Sequence, residues 1–374
     1  MSKIPCRWVG PVFDTSGYAS ATRNYIRALI NSGSVELSVT GVSFEKQKTT
    51  HGEFNALVKP FMDRNVGHKI QITHLTPENF PNVRDSNCYN IAYTVWETSQ
   101  LPPGWPDLCN SMDEIWVPSK WNQGVFKASG VTKPVYVIPH GFSMPDLNHK
   151  QHLSMGVSAD TFVFYSIFQW LERKNPLGLL RAYLTEFSPL ENVCLALKTY
   201  RLDTGAKEQN IIKEDITNCK LGLNLKEFPM VRLFGTLLSH ELMLGFHDRG
   251  DCFVLPHRGE GFGIPFAEAM SHGKPVIATR YSGNTEFMND DNSYLIDYQE
   301  TPVTNMIFPN YHGHMVWADP DLIHMRKLMR EVFENQDAAK AKGKMGKKYI
   351  QKHLNWTTIG TLMVKRLKEI MKEL

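Results

Sequence analysis

The 374-residue chain carries 41 Lys+Arg against 38 Asp+Glu, a formal charge of +3, and is 42% hydrophobic. That apolar content excludes a disordered chain, and the near-balanced charge excludes a strong field for polyanions. The length exceeds what one core usually supports and points to two domains.

In chain order, β-branched and aromatic runs predict strands over 7–12, 35–42, 70–75, 89–95, 114–117 and 135–138. A helix is expected over 18–31, with Ser16 capping its start and Gly33 ending it. Another should run from Ser119 to Gly130. Residues 141–159 are polar and aperiodic, as in an interdomain linker. A second alternation follows, with strands over 162–168, 193–199, 231–234, 252–255, 276–279 and 294–296. Its helices fall near 176–187, 206–218, 240–249, 265–272 and 321–334. The lysine-rich stretch 340–348 reads as the solvated face of a helix. Residues 356–374 are helical in period, with Leu362, Met363, Leu367 and Ile370 on one side. Two such sets predict two parallel-sheet α/β domains.

Cys6, Cys88, Cys109, Cys194, Cys219 and Cys252 form no C-x-x-C pair, and several lie in apolar runs. Reduced thiols of a cytoplasmic protein are expected, not a disulfide framework. The first residues lack the apolar stretch of a signal peptide, and no run of about 18 apolar residues occurs. No transmembrane helix is expected, and any membrane contact would be peripheral.

The stretch from Leu255 to Ala278, LPHRGEGFGIPFAEAMSHGKPVIA, concentrates the chemistry. It starts at the carboxyl end of an expected strand, where open α/β sheets bind ligands. A glycine-rich loop, 259–263, precedes a helix that Pro265 suits at its first turn. Backbone amides at such a helix start favour an anion such as phosphate. Glu260 and Glu268 are placed to accept hydrogen bonds from hydroxyls of a sugar or ribose. The plainer alternative is a turn with a helix-capping acid. The dinucleotide fingerprint fails because Phe266 stands where its third glycine should be, and a Walker loop lacks its G-K-[ST]. His240-Glu-Leu-Met-Leu is not a zinc H-E-x-x-H, and His51, His68 and His74 have no metal-ligand spacing with cysteines. On these spacings no metal is expected.

Glu260-x7-Glu268, with its flanking Gly-Phe-Gly, Ala-Met and Gly-Lys-Pro-Val, resembles the E-x7-E signature of glycosyltransferase family 4 in the GT-B fold. Ile138-Pro-His-Gly-Phe, Arg173-Lys-Asn-Pro, Phe234-Gly-Thr, Leu238-Ser-His-Glu-Leu and Tyr281-Ser-Gly-Asn-Thr-Glu resemble it too. The likeness is good over most of 160–360 and loose before it. It implies two Rossmann-like domains whose parallel sheets face across a cleft. The acceptor domain would be 1–145 and the nucleotide-sugar domain 155–355, with a final helix, 356–374, crossing back to the first.

Residue by residue, the resemblance implies that Glu260 contacts the donor sugar and Glu268 the ribose hydroxyls. Backbone groups of Gly261, Phe262 and Gly263 would lie beside the sugar and diphosphate. Lys174 would neutralise the diphosphate with Arg173 as helper, each charge-assisted bond contributing roughly 1.5–3 kcal/mol. Ser16 and Gly17 lie in a loop that in this family binds donor phosphate or acceptor. His140 closes the last strand of the first domain, facing the cleft, and is a candidate donor-binding residue; the plainer alternative is a structural histidine.

Two departures stand out. Gln169 replaces a frequent arginine, and no histidine lies between His74 and His140. That puts Glu97, or Trp96, near the reaction centre; the alternative is a surface acid at a strand end. The activity implied is metal-independent transfer of a hexosyl or pentosyl group, with retention, from a UDP- or GDP-sugar to a glycan or glycolipid hydroxyl. No cofactor is needed beyond that donor. One alternative acceptor is a modified DNA base, as in phage base glycosylation, with Trp8, Trp96, Trp105, Trp116 and Trp121 beside Lys120 and Lys127 lining the groove. The plainer reading of these tryptophans is core. A non-catalytic nucleotide-sugar-binding protein is the other alternative.

Overall fold

The computed structural model describes residues 3–14, 16–43, 52–304 and 309–374. His51 lies outside them. The chain divides into two units, one of residues 1–143, 309–315 and 352–374, the other of 144–308 and 316–351. The expected linker thus belongs largely to the second unit. Residues 309–315, expected in the second domain, cluster with the first.

The first unit contains β1 (Ile4–Gly10), α1 (Gly17–Ser32), β2 (Val35–Gly41), α2 (Gly52–Val58), β3 (Ile70–His74), α3 (Phe80–Val83), β4 (Tyr89–Tyr93), α4 (Trp105–Asn110), β5 (Glu114–Val117), α5 (Lys120–Ala128) and β6 (Val135–Val137). The strands form one parallel sheet in the order β2-β1-β3-β4-β5-β6. Every residue of β3 and β5 is buried, as expected of a parallel sheet covered on both faces. Ser16 Oγ accepts the Ala19 amide at 3.3 Å, and Gly33 ends α1 at φ +62°. Ser119 caps α5 in the same way.

The second unit contains β7 (Phe162–Gln169), α6 (Pro176–Glu186), β8 (Val193–Tyr200), α7 (Ala206–Leu223), β9 (Met230–Phe234), α8 (His240–Arg249), β10 (Cys252–Leu255), α9 (Ile264–Ser271), β11 (Val276–Thr279), β12 (Tyr294–Ile296), β13 (Tyr298–Pro302), β14 (Val316–Pro320), α10 (Leu322–Glu334) and α11 (Gln336–His353). Its six-stranded parallel sheet has the order β12-β11-β10-β7-β8-β9. The antiparallel ribbon β13–β14 has no counterpart in the sequence reading.

The last helix, α12 (Trp356–Glu373), belongs to the first unit and packs on α1. Gly360 allows the approach, since a Cβ there would lie 3.0 Å from the Ala28 carbonyl. Met363, Leu367 and Ile370 are buried as the period requires, but Leu362 is 37% exposed. It stands one position off the stripe that Ile359, Met363 and Ile370 define. Among the described residues no helix is long and apolar enough to cross a membrane.

Candidate active site

In the second unit the chain reverses its direction across the sheet between β7 and β10, which lie side by side. Crevices at such switch points, past the carboxyl ends of the strands, are where doubly wound sheets hold ligands. The loop after β7 supplies Arg173 and Lys174, and the loop after β10 supplies His257 to Gly263. The Arg258 amide donates to the Arg173 carbonyl at 2.7 Å and ties the two loops together.

Lys174 and Glu260 are both buried and form an ion pair through Nζ and Oε1. Arg173 Nη1 lies 3.6 Å from Glu260 Oε2 and donates to the Gly259 carbonyl at 2.6 Å. Burial alone would push the Glu260 carboxyl up; the ammonium of Lys174 and the guanidinium of Arg173 outweigh it and hold the group down to about 2. The acid expected on the sugar is thus paired with both cations expected on a diphosphate, leaving the cluster one positive charge in excess.

The backbone around Glu260 is fixed on both sides. Its amide donates to Ser282 Oγ at 2.8 Å, and its carbonyl accepts from the Gly283 amide at 2.9 Å. Gly283 is required here, because a Cβ would stand 2.1 Å from the Gly261 carbonyl oxygen. Gly263 caps α9 at φ +95°, a conformation only glycine adopts without strain. Gly261, Phe262 and Gly263 thus lead straight into the start of α9. One turn along, Glu268 is half-buried, and burial pushes its carboxyl up to about 7.

Gln169 takes no part in this cluster; its amide donates to the Arg201 carbonyl at 2.7 Å. The sequence reading missed His257, which is fully buried next to the Glu260 loop. Burial pushes its pKa down to about 3, so the ring is neutral beside two cations. Neither ring nitrogen has a hydrogen-bond partner among the described residues. The signal for it in the sequence is position, two residues past the end of β10. Ser282 was legible as part of Tyr281-Ser-Gly-Asn-Thr-Glu, but without a role.

In the first unit the reversal lies between β1 and β3. Ser16 ends the loop after β1, the exposed Gly17 opens α1, and β3 ends in His74. His74 is a second residue that sequence reasoning left without a role. Its Nδ1 lies 2.8 Å from Thr22 Oγ1, and its ring packs against Tyr18 at 5.0 Å between centroids. Tyr25 and Tyr93 are hydrogen-bonded through their hydroxyls, and the Tyr25 hydroxyl reaches His140 Nδ1 at 2.6 Å. His140 is only 6% exposed, and burial pushes it down to about 3. His74 is lowered well below the usual histidine range too, chiefly by burial. Both imidazoles are neutral members of a buried aromatic cluster.

Glu97 follows β4 and accepts a hydrogen bond from the Tyr311 hydroxyl at 2.6 Å. Trp96 beside it is buried, its ring 5.5 Å from that of Tyr311 and 4.8 Å from Trp105. Trp8, Trp96, Trp105 and Trp116 are all 5% exposed or less, and only Trp121 is half-buried. Rings in the core cannot stack on bases, so Trp8, Trp96, Trp105 and Trp116 are corrected from a nucleic-acid groove to core packing, which leaves Trp121 alone beside Lys120 and Lys127.

Comparison with solved structures decides the architecture. The whole chain superposes on sucrose-phosphate synthase from Thermosynechococcus elongatus with a TM-score of 0.72, covering 100% of each chain at 14% identity. HepE from Anabaena, in complex with UDP and glucose, gives 0.67 at 14% identity, with 98% of this chain and 100% of that one covered. The fold is GT-B. Within this GT-B chain, residues 205–305 match the family described as glycosyl transferases group 1. That match includes the 259–263 loop, Glu260 and Glu268, and excludes Arg173 and Lys174. A sucrose synthase from Melioribacter roseus is 34% identical over 126 residues, which is 31% of this chain. The GT-B chain spans 15% of the length of that relative.

Proposed function

We propose that the protein is a glycosyltransferase that moves a hexosyl or pentosyl group from a nucleoside diphosphate sugar to an acceptor hydroxyl, with retention and without a metal. One observation carries this reading. A Lys174–Arg173–Glu260 cluster, with Lys174 and Glu260 buried and Arg173 half-buried, sits at the switch point of the second sheet, at the mouth of a glycine-rich helix start. Two cations at a helix N-terminus suit a diphosphate, and two acids in the same segment suit hydroxyls.

In the proposed step the bond from the anomeric carbon to the diphosphate oxygen breaks. The acceptor oxygen bonds to the same face of that carbon, and its proton passes to the leaving diphosphate. Lys174, Arg173 and the start of α9 stabilise the charge growing on the diphosphate, the kind of term that dominates many enzymes. Glu260 turns from its cation partners to the sugar, and Glu268 accepts from the ribose. Backbone groups of Gly261, Phe262 and Gly263 line the sugar and diphosphate.

In the first unit Ser16 and Gly17 keep a proposed donor contact, and Glu97, oriented by Tyr311, is the proposed active-site acid. His140 serves by positioning Tyr25. A glycan or glycolipid is the proposed acceptor and a UDP- or GDP-sugar the proposed donor; HepE was solved with UDP and glucose. All six cysteines are unpaired, in keeping with a cytoplasmic setting.

The test is release of nucleoside diphosphate from a panel of UDP-, GDP- and ADP-sugars, read beside the thermal shift each donor produces. Slow turnover of one donor, with a rise in Tm for that donor alone, is expected. A panel with neither turnover nor a shift would overturn the assignment.

Glu268 adds a pH dependence. Ribose hydroxyls donate to the ionised carboxylate, while in the free protein burial favours the neutral acid up to about pH 7. Donor binding should therefore weaken as pH falls, roughly tenfold between pH 8 and pH 6. Glu268→Gln should flatten the profile. A wild-type Kd constant over that range would remove Glu268 from the ribose.

A further inference from the structure

We infer that the first unit carries a transition-metal site, built from His68, Asp85 and Cys88 and suited to Zn2+. Spacing along the chain hid it: His68 precedes β3, whereas Asp85 and Cys88 precede β4. The pairing of Ile70 with Tyr89 brings the two approaches together. One ligand atom from each residue lies within 4.8 Å of the others. His68 has no metal-ligand spacing with a cysteine along the chain; strand pairing supplies the proximity instead.

The donor set is an imidazole, a carboxylate and a thiol, the mixture that Zn2+ accepts. His68 Nε2 stands 3.3 Å from Asp85 Oδ2, yet this buried nitrogen makes no aligned hydrogen bond among the described residues. Zinc bond lengths of 2.0–2.3 Å put tetrahedral ligands about 3.3–3.8 Å apart, so that gap already fits an ion. Asp85 Oδ1 is taken by the Asn87 amide at 3.0 Å, which leaves Oδ2 turned to His68. Cys88 Sγ donates to the His68 carbonyl at 3.4 Å. Binding replaces the thiol proton, which leaves to solvent, and breaks that bond together with the thiol's hydrogen bond to the Asp85 carboxylate.

The frame is rigid. Asn90 is fully buried; its Nδ2 donates to the Asp85 and Cys88 carbonyls at 2.8 and 2.7 Å, and its Oδ1 accepts the Asp85 amide at 3.1 Å. Asp113 holds the Asn90 amide at 2.7 Å. The Asn65–Gly67 turn, with Gly67 at φ +56°, fixes the approach of His68. All three ligands precede their strands, at the amino edge of the sheet, whereas Ser16, His74 and Glu97 stand at or past the carboxyl ends. The site would clip two loops and stand apart from the proposed chemistry.

The experiment is titration of the full-length, chelator-stripped, reduced protein with Co2+, followed by displacement with Zn2+. One equivalent should give a near-ultraviolet thiolate-to-cobalt charge-transfer band that Zn2+ abolishes. Cys88 is the one partly open cysteine of the six, so Cys88→Ser should lose the band. His68→Ala should weaken binding at least tenfold, and Zn2+ should raise the Tm of wild type but not of Cys88→Ser. Absence of the band in wild type, or its persistence in Cys88→Ser, would overturn the site.

Discussion

Lys174→Met should lower kcat/KM for sugar transfer by roughly 10²–10³-fold, the range seen when one donor to a developing oxyanion is removed. The methionine keeps length and bulk but removes the charge that faces both Glu260 and, on the proposed reading, the leaving diphosphate. The loss should fall mainly on kcat, because charge on the diphosphate grows as the sugar departs. Glu260→Gln should also fail, through the sugar side. It leaves Lys174 and Arg173 without their acid, so diphosphate alone should bind more tightly to it than to wild type. Transfer by Lys174→Met within about threefold of wild type would remove the cluster from the reaction, on the scale set by a single lost donor.

The same substitution has a signature in stability. A carboxyl held down to about 2, against 4.5 when unperturbed, adds stability that is complete above pH 4.5 and is lost as pH falls through that value towards 2. In Lys174→Met the Arg173 guanidinium remains at 3.6 Å, so the carboxyl should rise as burial reasserts itself. Acid unfolding should then begin at a higher pH than in wild type. Far-ultraviolet circular dichroism across pH 2–7 follows both proteins, and coincident curves would mean that Lys174 does not hold Glu260 down.

Much of this was legible because the two sheets are regular. Short apolar runs located the strands of both sheets, since parallel strands buried on two faces leave little room for polar residues. The E-x7-E segment located Glu260 and Glu268 because loop and helix are continuous in sequence. What stayed hidden depends on contacts that spacing does not encode. The Lys174–Glu260 pair joins residues 86 apart through the adjacency of β7 and β10, and the strand order, not any motif, sets that adjacency. Tyr311 reaches Glu97 from 214 residues away. His74 was legible only as a histidine without metal-ligand spacing, and only the β1–β3 reversal gives its strand end meaning. The ribbon β13–β14 was missed because β13 is largely exposed and lacks a buried alternation.

The return of the last helix makes the second large prediction. Glu114 is fully buried at the start of β5. It accepts from Arg366 Nε at 3.2 Å and Nη2 at 2.7 Å, from Trp116 Nε1 at 2.6 Å and from the Tyr89 hydroxyl at 3.1 Å. The guanidinium also lies 4.2 Å from the centroid of the Tyr136 ring. Breaking such a pair from one side strands a buried charge, so Arg366→Ala should cost about 3–5 kcal/mol in urea unfolding of the full chain. The two neutral donors would remain, but they cannot replace the countercharge. Replacing both partners together, as Glu114→Gln with Arg366→Met, should recover most of that loss, because no ion is then left in the sheet. The comparison separates charge from packing. If the double variant is as unstable as Arg366→Ala, α12 is held by the contacts of Ile359, Gly360 and Met363 with the first unit, and the ion pair sets its register without contributing to its stability.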